Sequence, residues 1–332
     1  IEPGADVAQN DNSANQHISD QLPYSINIFC TTAIETARLA ASDGMRLFEN
    51  RYCIGYWPWE LPRWPDAWQH AYKLVDEVWA SSQFTLSAFE HNSPKPVRHM
   101  PMAVEIGQVA NCSRSRFGLP ENDFLFVFAF DFLSSMQRKN PQACLAAFQR
   151  AFANSQESVG LVVKVMRPAD DNPDWQQLCE LAARDPRIHI VDEILDRGEV
   201  MALFQMCDCF VSLHRSEGFG RGLAEAMLLG TPVIATAWSG NIDFCTADTS
   251  ALVPYQSIPV GQADYPFGEG QSWAEADITA AAKQMQRIYH EPDYRASITE
   301  QARIHCKQVH SAAAVGDAYL RVLEGIFAKQ VG

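Results

Sequence analysis

The stretch HRSEGFGRGLAEAM, residues 214–227, sets two carboxylates, Glu217 and Glu225, eight residues apart around Gly218, Gly220 and Gly222. It follows an apolar run at 209–213 and enters a helical pattern at 221–229, which Gly230 caps. Glycines at a strand-to-helix turn let backbone approach another group closely. The helix start offers unpaired amides and the positive end of its dipole, which suits a diphosphate. Arg221 sits poorly against that dipole unless an anion is bound. A carboxylate only accepts hydrogen bonds, and vicinal hydroxyls donate them. One glutamate for each of two sugar rings flanking a diphosphate is therefore sensible chemistry. Glycine-rich turns of this kind also occur in dehydrogenases and kinases, and a helix-end charge with packing glycines is the plain structural reading.

The elements that must hold this turn alternate between strand and helix. Short strands are expected at 24–30, 52–57, 77–80 and 97–102, with helices at 33–43, 66–75 and 84–91. Ser81 and Ser82 supply a cap signal for the last of these helices. A linker follows at 105–123. Residues 124–130 are continuously apolar, as in a strand buried on both faces of a parallel sheet. Further strands are expected at 159–165, 188–191, 209–213 and 232–236. Helices alternate with them at 141–152, 175–183, 199–205 and 221–229, and long helices close the chain at 277–290 and 311–329. This predicts two doubly wound α/β domains facing a cleft: 1–105 on the acceptor side and 106–310 binding the donor, with a helix at 311–332 packing back on the first domain. Residues 1–22 are polar and are read as a loop or frayed end.

The run Glu217, Gly218, Phe219, Gly220, then Glu225, Ala226, Met227, then GTPVIAT at 230–236 and Ser239, Gly240, Asn241 resembles the retaining glycosyltransferases of family four. The resemblance is strong over about 124–290 and weaker over 24–104. It implies the GT-B fold, two Rossmann-like domains across a cleft, and transfer of a sugar from a nucleoside diphosphate, GDP- or UDP-linked, with retention and without a metal or other cofactor. By that resemblance Glu217 lies beside the transferred sugar, Glu225 binds the nucleotide ribose, and the chain from Gly218 through Phe219, Gly220, Arg221 and Gly222 to Leu223 holds the donor.

The family's phosphate-binding Gly-Arg pair is absent after the 124–130 strand, where Phe130 and Asp131 stand. Its later lysine is matched by Lys139, and Arg138 is the neighbouring charge that could replace the arginine. Ser134 and Ser135 lie in the same loop. A solvated basic pair is the alternative. Lys164, with Arg167, ends a buried strand where ligands bind in open α/β sheets, or else forms a salt bridge. Glu193 falls where the family places residues near the base, and is otherwise a surface helix-start carboxylate. His214, three residues before Glu217, is read either as a contact to the leaving diphosphate or as a satisfied structural histidine. In the first domain Trp57, Trp59 and Glu60 end a strand, and Thr31 ends the one before. They form an acceptor site if the rings face the cleft, or core if they are buried. The first domain is shorter than the family's, leaving two readings: a compact domain or a missing N-terminus.

Composition narrows the partners. The 332 residues carry a net charge of −14, which disfavours nucleic acid. No run of eighteen apolar residues and no signal peptide is visible. The nine cysteines form no C-x-x-C pair, and Cys207 and Cys209 read as buried thiols in a reducing cytoplasm. The family resemblance, rather than composition, implies a saccharide or lipid-linked saccharide acceptor in surface polysaccharide or lipopolysaccharide synthesis. A lipid-linked acceptor implies peripheral contact with the inner membrane, although no basic amphipathic helix marks it. The rivals are a GT-B epimerase or phosphorylase and a non-catalytic nucleotide-sugar-binding subunit. A dehydrogenase is disfavoured, because no early G-x-G-x-x-G follows a strand.

Overall fold

The computed structural model describes residues 21–331 apart from 154, 155, 167 and 170, and leaves the side chains of 330 and 331 undescribed. Arg167 and most of the polar N-terminal stretch therefore lie outside the described residues.

The first sheet is parallel, in the order β1-β2-β3-β4: β1 (Ile26–Phe29), β2 (Tyr52–Tyr56), β3 (Glu77–Ala80) and β4 (Val97–His99). Helices α1 (Ala33–Ser42) and α2 (Gln83–Glu90) connect its strands. Thr32 and Ser82 cap these helices, each side chain accepting from the third helical amide. The helix expected at 66–75 is instead a 3-10 helix, Asp66–Leu74. Its Ala71 and Tyr72 are buried, and Trp68 packs on Trp59 and Trp64. Apolar spacing predicts the helix but not the tighter winding this packing adopts.

The second sheet holds β5 (Phe124–Asp131), β6 (Val159–Met166), β7 (Ile188–Val191), β8 (Cys209–Ser212), β9 (Val233–Thr236) and β10 (Ala251–Val253), all parallel. Their spatial order is β10-β9-β8-β5-β6-β7, so the winding reverses between β5 and β8. Helices α3 (Met136–Lys139), α4 (Pro141–Ala151), α5 (Pro173–Ala183), α6 (Arg197–Met206) and α7 (Arg221–Leu229) accompany these strands. The apolar strand β5 is central: Phe126 and Phe128 are buried in the core on one face, Leu125 and Val127 in that on the other. In an open sheet, a ligand crevice forms beyond the carboxyl ends of the strands where the order reverses. Here those ends lead into the loop that carries Lys139 and the loop that carries Glu217.

The short edge strand β10 and the helical turn α3 go beyond what the sequence patterns suggest. So does an antiparallel hairpin after the second sheet, β11 (Tyr255–Pro259) and β12 (Ser272–Ala276). Helix α9 (Pro292–His310) likewise stands unanticipated between α8 (Ile278–His290) and α10 (Ala312–Val331). Helix α10 returns to the first sheet. The Tyr319 ring lies 4.9 Å from Trp79 and 6.4 Å from Tyr56, and its hydroxyl donates to the Pro101 carbonyl.

Candidate functional site

The β5 loop turns twice through positive φ at non-glycine residues, Ser135 (65°) and Asn140 (54°), a region few side chains adopt. The four residues between them form the short helix α3, which Ser135 caps by accepting from the Arg138 amide. These bends direct Arg138 and Lys139 toward the β8 loop. Lys139 Nζ pairs with Glu217 Oε1, and Arg138 Nη1 lies 3.1 Å from Glu217 Oε2. Arg138 also donates to the Ser216 carbonyl at 2.8 Å, while its Nε is buried without a partner. Burial would raise the Glu217 pKa, but Lys139 and Arg138 outweigh it and hold the carboxyl down to about 2. Burial opposes the charge on Arg138, yet Glu217 and Glu60 raise its pKa. The result is a charged, largely dehydrated triad.

The turn carrying Glu217 is held from behind. The Glu217 amide donates to Ser239 Oγ, and the Gly240 amide donates to the Glu217 carbonyl, both at 2.8 Å. A Cβ on Gly240 would stand 2.1 Å from the Gly218 carbonyl oxygen. Gly220 precedes α7 at φ 93°. The first amides of α7, near Gly222, have no intrahelical acceptor, which leaves an anion-binding end beside the triad.

The remaining expected residues divide. Glu60 reaches the site from the first domain: its carbonyl accepts from Ser216 Oγ and its carboxylate from the Tyr265 hydroxyl. Ser135 Oγ donates to the Asp264 carbonyl at 3.0 Å, and neighbouring Ser134 is partly exposed. Glu225 is buried, with Arg197 Nη2 2.8 Å from its Oε1. Lys164 is buried and donates to the carbonyls of Val165 and Glu193, and burial lowers its pKa. The Glu193 side chain is taken by Arg116 at 2.8 Å. Arg221 is exposed and contacts Met102 Sδ. Thr31 is partly buried beyond β1.

Several expectations need correction. Trp57 and Trp59 are 1% and 2% exposed, so they are core and offer no face to a sugar. Trp57 donates to Thr36 Oγ1 and stacks on Trp64, while Trp59 donates to the Arg63 carbonyl. The Phe219 side chain, in the turn before α7, and the Leu223 side chain, in its first turn, are core too, clustered with Phe244, so only their backbone can serve a ligand. His214 is fully buried between Ser212 Oγ and Asn241 Oδ1 and cannot touch a leaving group directly. Burial lowers its pKa, so at neutral pH it is a neutral bridge beneath the Glu217 turn. Sequence reasoning missed Tyr265. It lies far along the chain from the motif residues, and the only signal for it is an aromatic within a Gly- and Pro-containing loop.

Among the described residues, no group of three or more His, Cys, Asp or Glu side chains could hold a metal ion. Cys207 and Cys209 are buried free thiols, and burial raises the pKa of both.

The two parallel sheets and the cleft between their loops define a GT-B protein. Solved structures agree on the fold. Sucrose-phosphate synthase from Thermosynechococcus elongatus superposes with a TM-score of 0.69 at 16% identity, over 92% of this chain and 74% of that one. HepE from Anabaena, in complex with UDP and glucose, gives 0.67 at 16% identity, over 91% and 78%. The α,α-trehalose 6-phosphate synthase of Burkholderia multivorans gives 0.64 at 13% identity, over 90% and 74%. Comparison with curated proteins by sequence gives no match. Residues 114–257, which include Lys139, Glu217 and Glu225, match the family model described as glycosyl transferases group 1.

Proposed function

We propose that the chain is a retaining, metal-independent glycosyltransferase that moves a sugar from a nucleoside diphosphate to a hydroxyl. The observation that carries this reading is the Lys139–Glu217–Arg138 triad beside the start of α7, where the sheet order reverses. The hard step is departure of the diphosphate. Lys139, Arg138 and the α7 amides supply positive charge where that negative charge grows. Glu217 offers acceptor oxygens to hydroxyls of the transferred sugar once a bound diphosphate draws the two cations away. Glu225 serves the ribose, with Arg197 holding its carboxylate in place.

The acceptor is a saccharide or lipid-linked saccharide, used on the cytoplasmic side of the inner membrane in surface polysaccharide or lipopolysaccharide assembly. No described helix is long and apolar enough to cross a membrane. The first experiment is a thermal-shift screen against UDP, GDP, ADP and their sugars in EDTA. Stabilisation by one nucleotide, reduced in Glu225→Ala, supports the donor site and names the base. Turnover that Glu217→Ala abolishes, with an α-linked product from an α-linked donor, supports retention. An inverted product, or a requirement for divalent metal, refutes the corresponding part.

A further inference from the structure

The loop at 260–271 joins β11 to β12 and lies beyond the segment matched by the family model. It spans the mouth of the cleft. On the second-domain side, Ser135 Oγ donates to the Asp264 carbonyl, and the Arg138 guanidinium lies 5.9 Å from the centre of the Tyr265 ring. On the first-domain side, the Tyr265 hydroxyl donates to the Glu60 carboxylate, and its ring lies 6.0 Å from Trp59. The Arg63 amide donates to Gln271 Oε1 at 2.8 Å, and Phe267 packs on Trp68 at 5.0 Å. The loop also holds its own shape, because the Gly261 amide donates to Asp264 Oδ2 and the Gly268 amide to the Tyr265 carbonyl.

Tyr265 thus touches a donor-side cation and an acceptor-side carboxylate at once. Burial and the neighbouring Glu60 push its phenol well above the usual range, so it stays a neutral donor. The loop's own residues, from Val260 to Gly270, enclose a hollow of about 690 Å³ of which Tyr265 forms part of the wall. Glu60 and Glu217 approach Arg138 from opposite domains, and both are acceptors of the kind that sugar hydroxyls satisfy.

We infer that Tyr265 is a specificity-determining residue of the donor site, orienting Glu60 so that the loop at 260–271 recognises the transferred sugar rather than the nucleotide. This rests on the glycosyltransferase reading above. The phenol fixes one carboxylate oxygen of Glu60 and leaves the other for a sugar hydroxyl. A free nucleoside diphosphate has no group to place there.

The test compares calorimetric Kd values for UDP and UDP-glucose, GDP and GDP-mannose, and ADP and ADP-glucose, using the pair that wild type binds. Tyr265→Phe keeps the ring over Arg138 and removes the hydroxyl. It is expected to leave the nucleotide Kd within about twofold and to weaken the sugar nucleotide about tenfold, the scale of one hydrogen bond to a charged group. Glu60→Gln is expected to weaken the sugar nucleotide similarly, and the double variant no further. An unchanged sugar-nucleotide Kd in Tyr265→Phe overturns the inference, as does equal weakening of both ligands, which marks a merely structural role. Wild type that binds none of the six ligands refutes the glycosyltransferase reading itself, and the inference falls with it.

Discussion

Replacing Glu217 with glutamine tests the triad directly, since the amide stands in for the protonated acid at nearly the same size. The carboxyl pKa falls from an ordinary 4.5 to about 2. At about 1.4 kcal/mol per tenfold, that difference corresponds to about 3 kcal/mol favouring the charged form in the folded protein. Because the folded pKa is the lower one, this stability is present above about 4.5 and is lost as pH falls toward about 2. At pH 7 the Glu217→Gln protein is therefore expected to unfold about 3 kcal/mol more easily. Breaking a buried ion pair from one side costs a similar amount, about 3–5 kcal/mol. Urea denaturation at pH 7 and at steps below 4.5 measures both the gap and its closure. A gap under about 0.5 kcal/mol at pH 7, or one that stays constant as pH falls from about 4.5 to about 3, refutes the account of Glu217 as a carboxylate clamped by two cations.

Gly240→Ala puts a methyl 2.1 Å from the Gly218 carbonyl oxygen and must displace the Glu217 turn. It is expected to lower the melting temperature and abolish transfer, and a wild-type rate refutes the close approach. Trp57→Ala is expected to cost about 3–5 kcal/mol in urea denaturation, as a buried aromatic does. Trp57→Phe is expected to leave the acceptor KM unchanged, because the ring is core. Glu225→Ala is expected to weaken nucleotide binding about tenfold, on the scale of a hydrogen bond to a charged group. It should also erase the preference for a ribonucleotide over its 2′-deoxy form in calorimetry. A retained preference places the ribose elsewhere.

The local signals were legible in the chain itself. The continuous apolar run of β5, the cap at Ser82 and the glycine turn before α7 each report short-range physics, and each element stands where its residues imply. The same holds for the pairing of chemistry with position: Glu217 and Lys139 sit in loops after strands, where an open parallel sheet gathers ligands. Spacing alone could not separate an aromatic that faces a cleft from one that faces a core. Trp57 and Trp59 end a strand either way, and their burial is set by Trp64, Trp68 and Tyr72 arriving from the next segment. Nor could it show that Arg116 occupies Glu193 or Arg197 meets Glu225, since these partners come from other elements. Tyr265 is the clearest case. Its meaning depends on Glu60, 205 residues earlier, and on Arg138 in another loop, brought together across one cleft. The sequence by itself determined most of the strands, helices and turn chemistry, because those depend on near neighbours. Tertiary structure decided which charges meet and which rings are covered, because burial and pairing depend on groups remote along the chain.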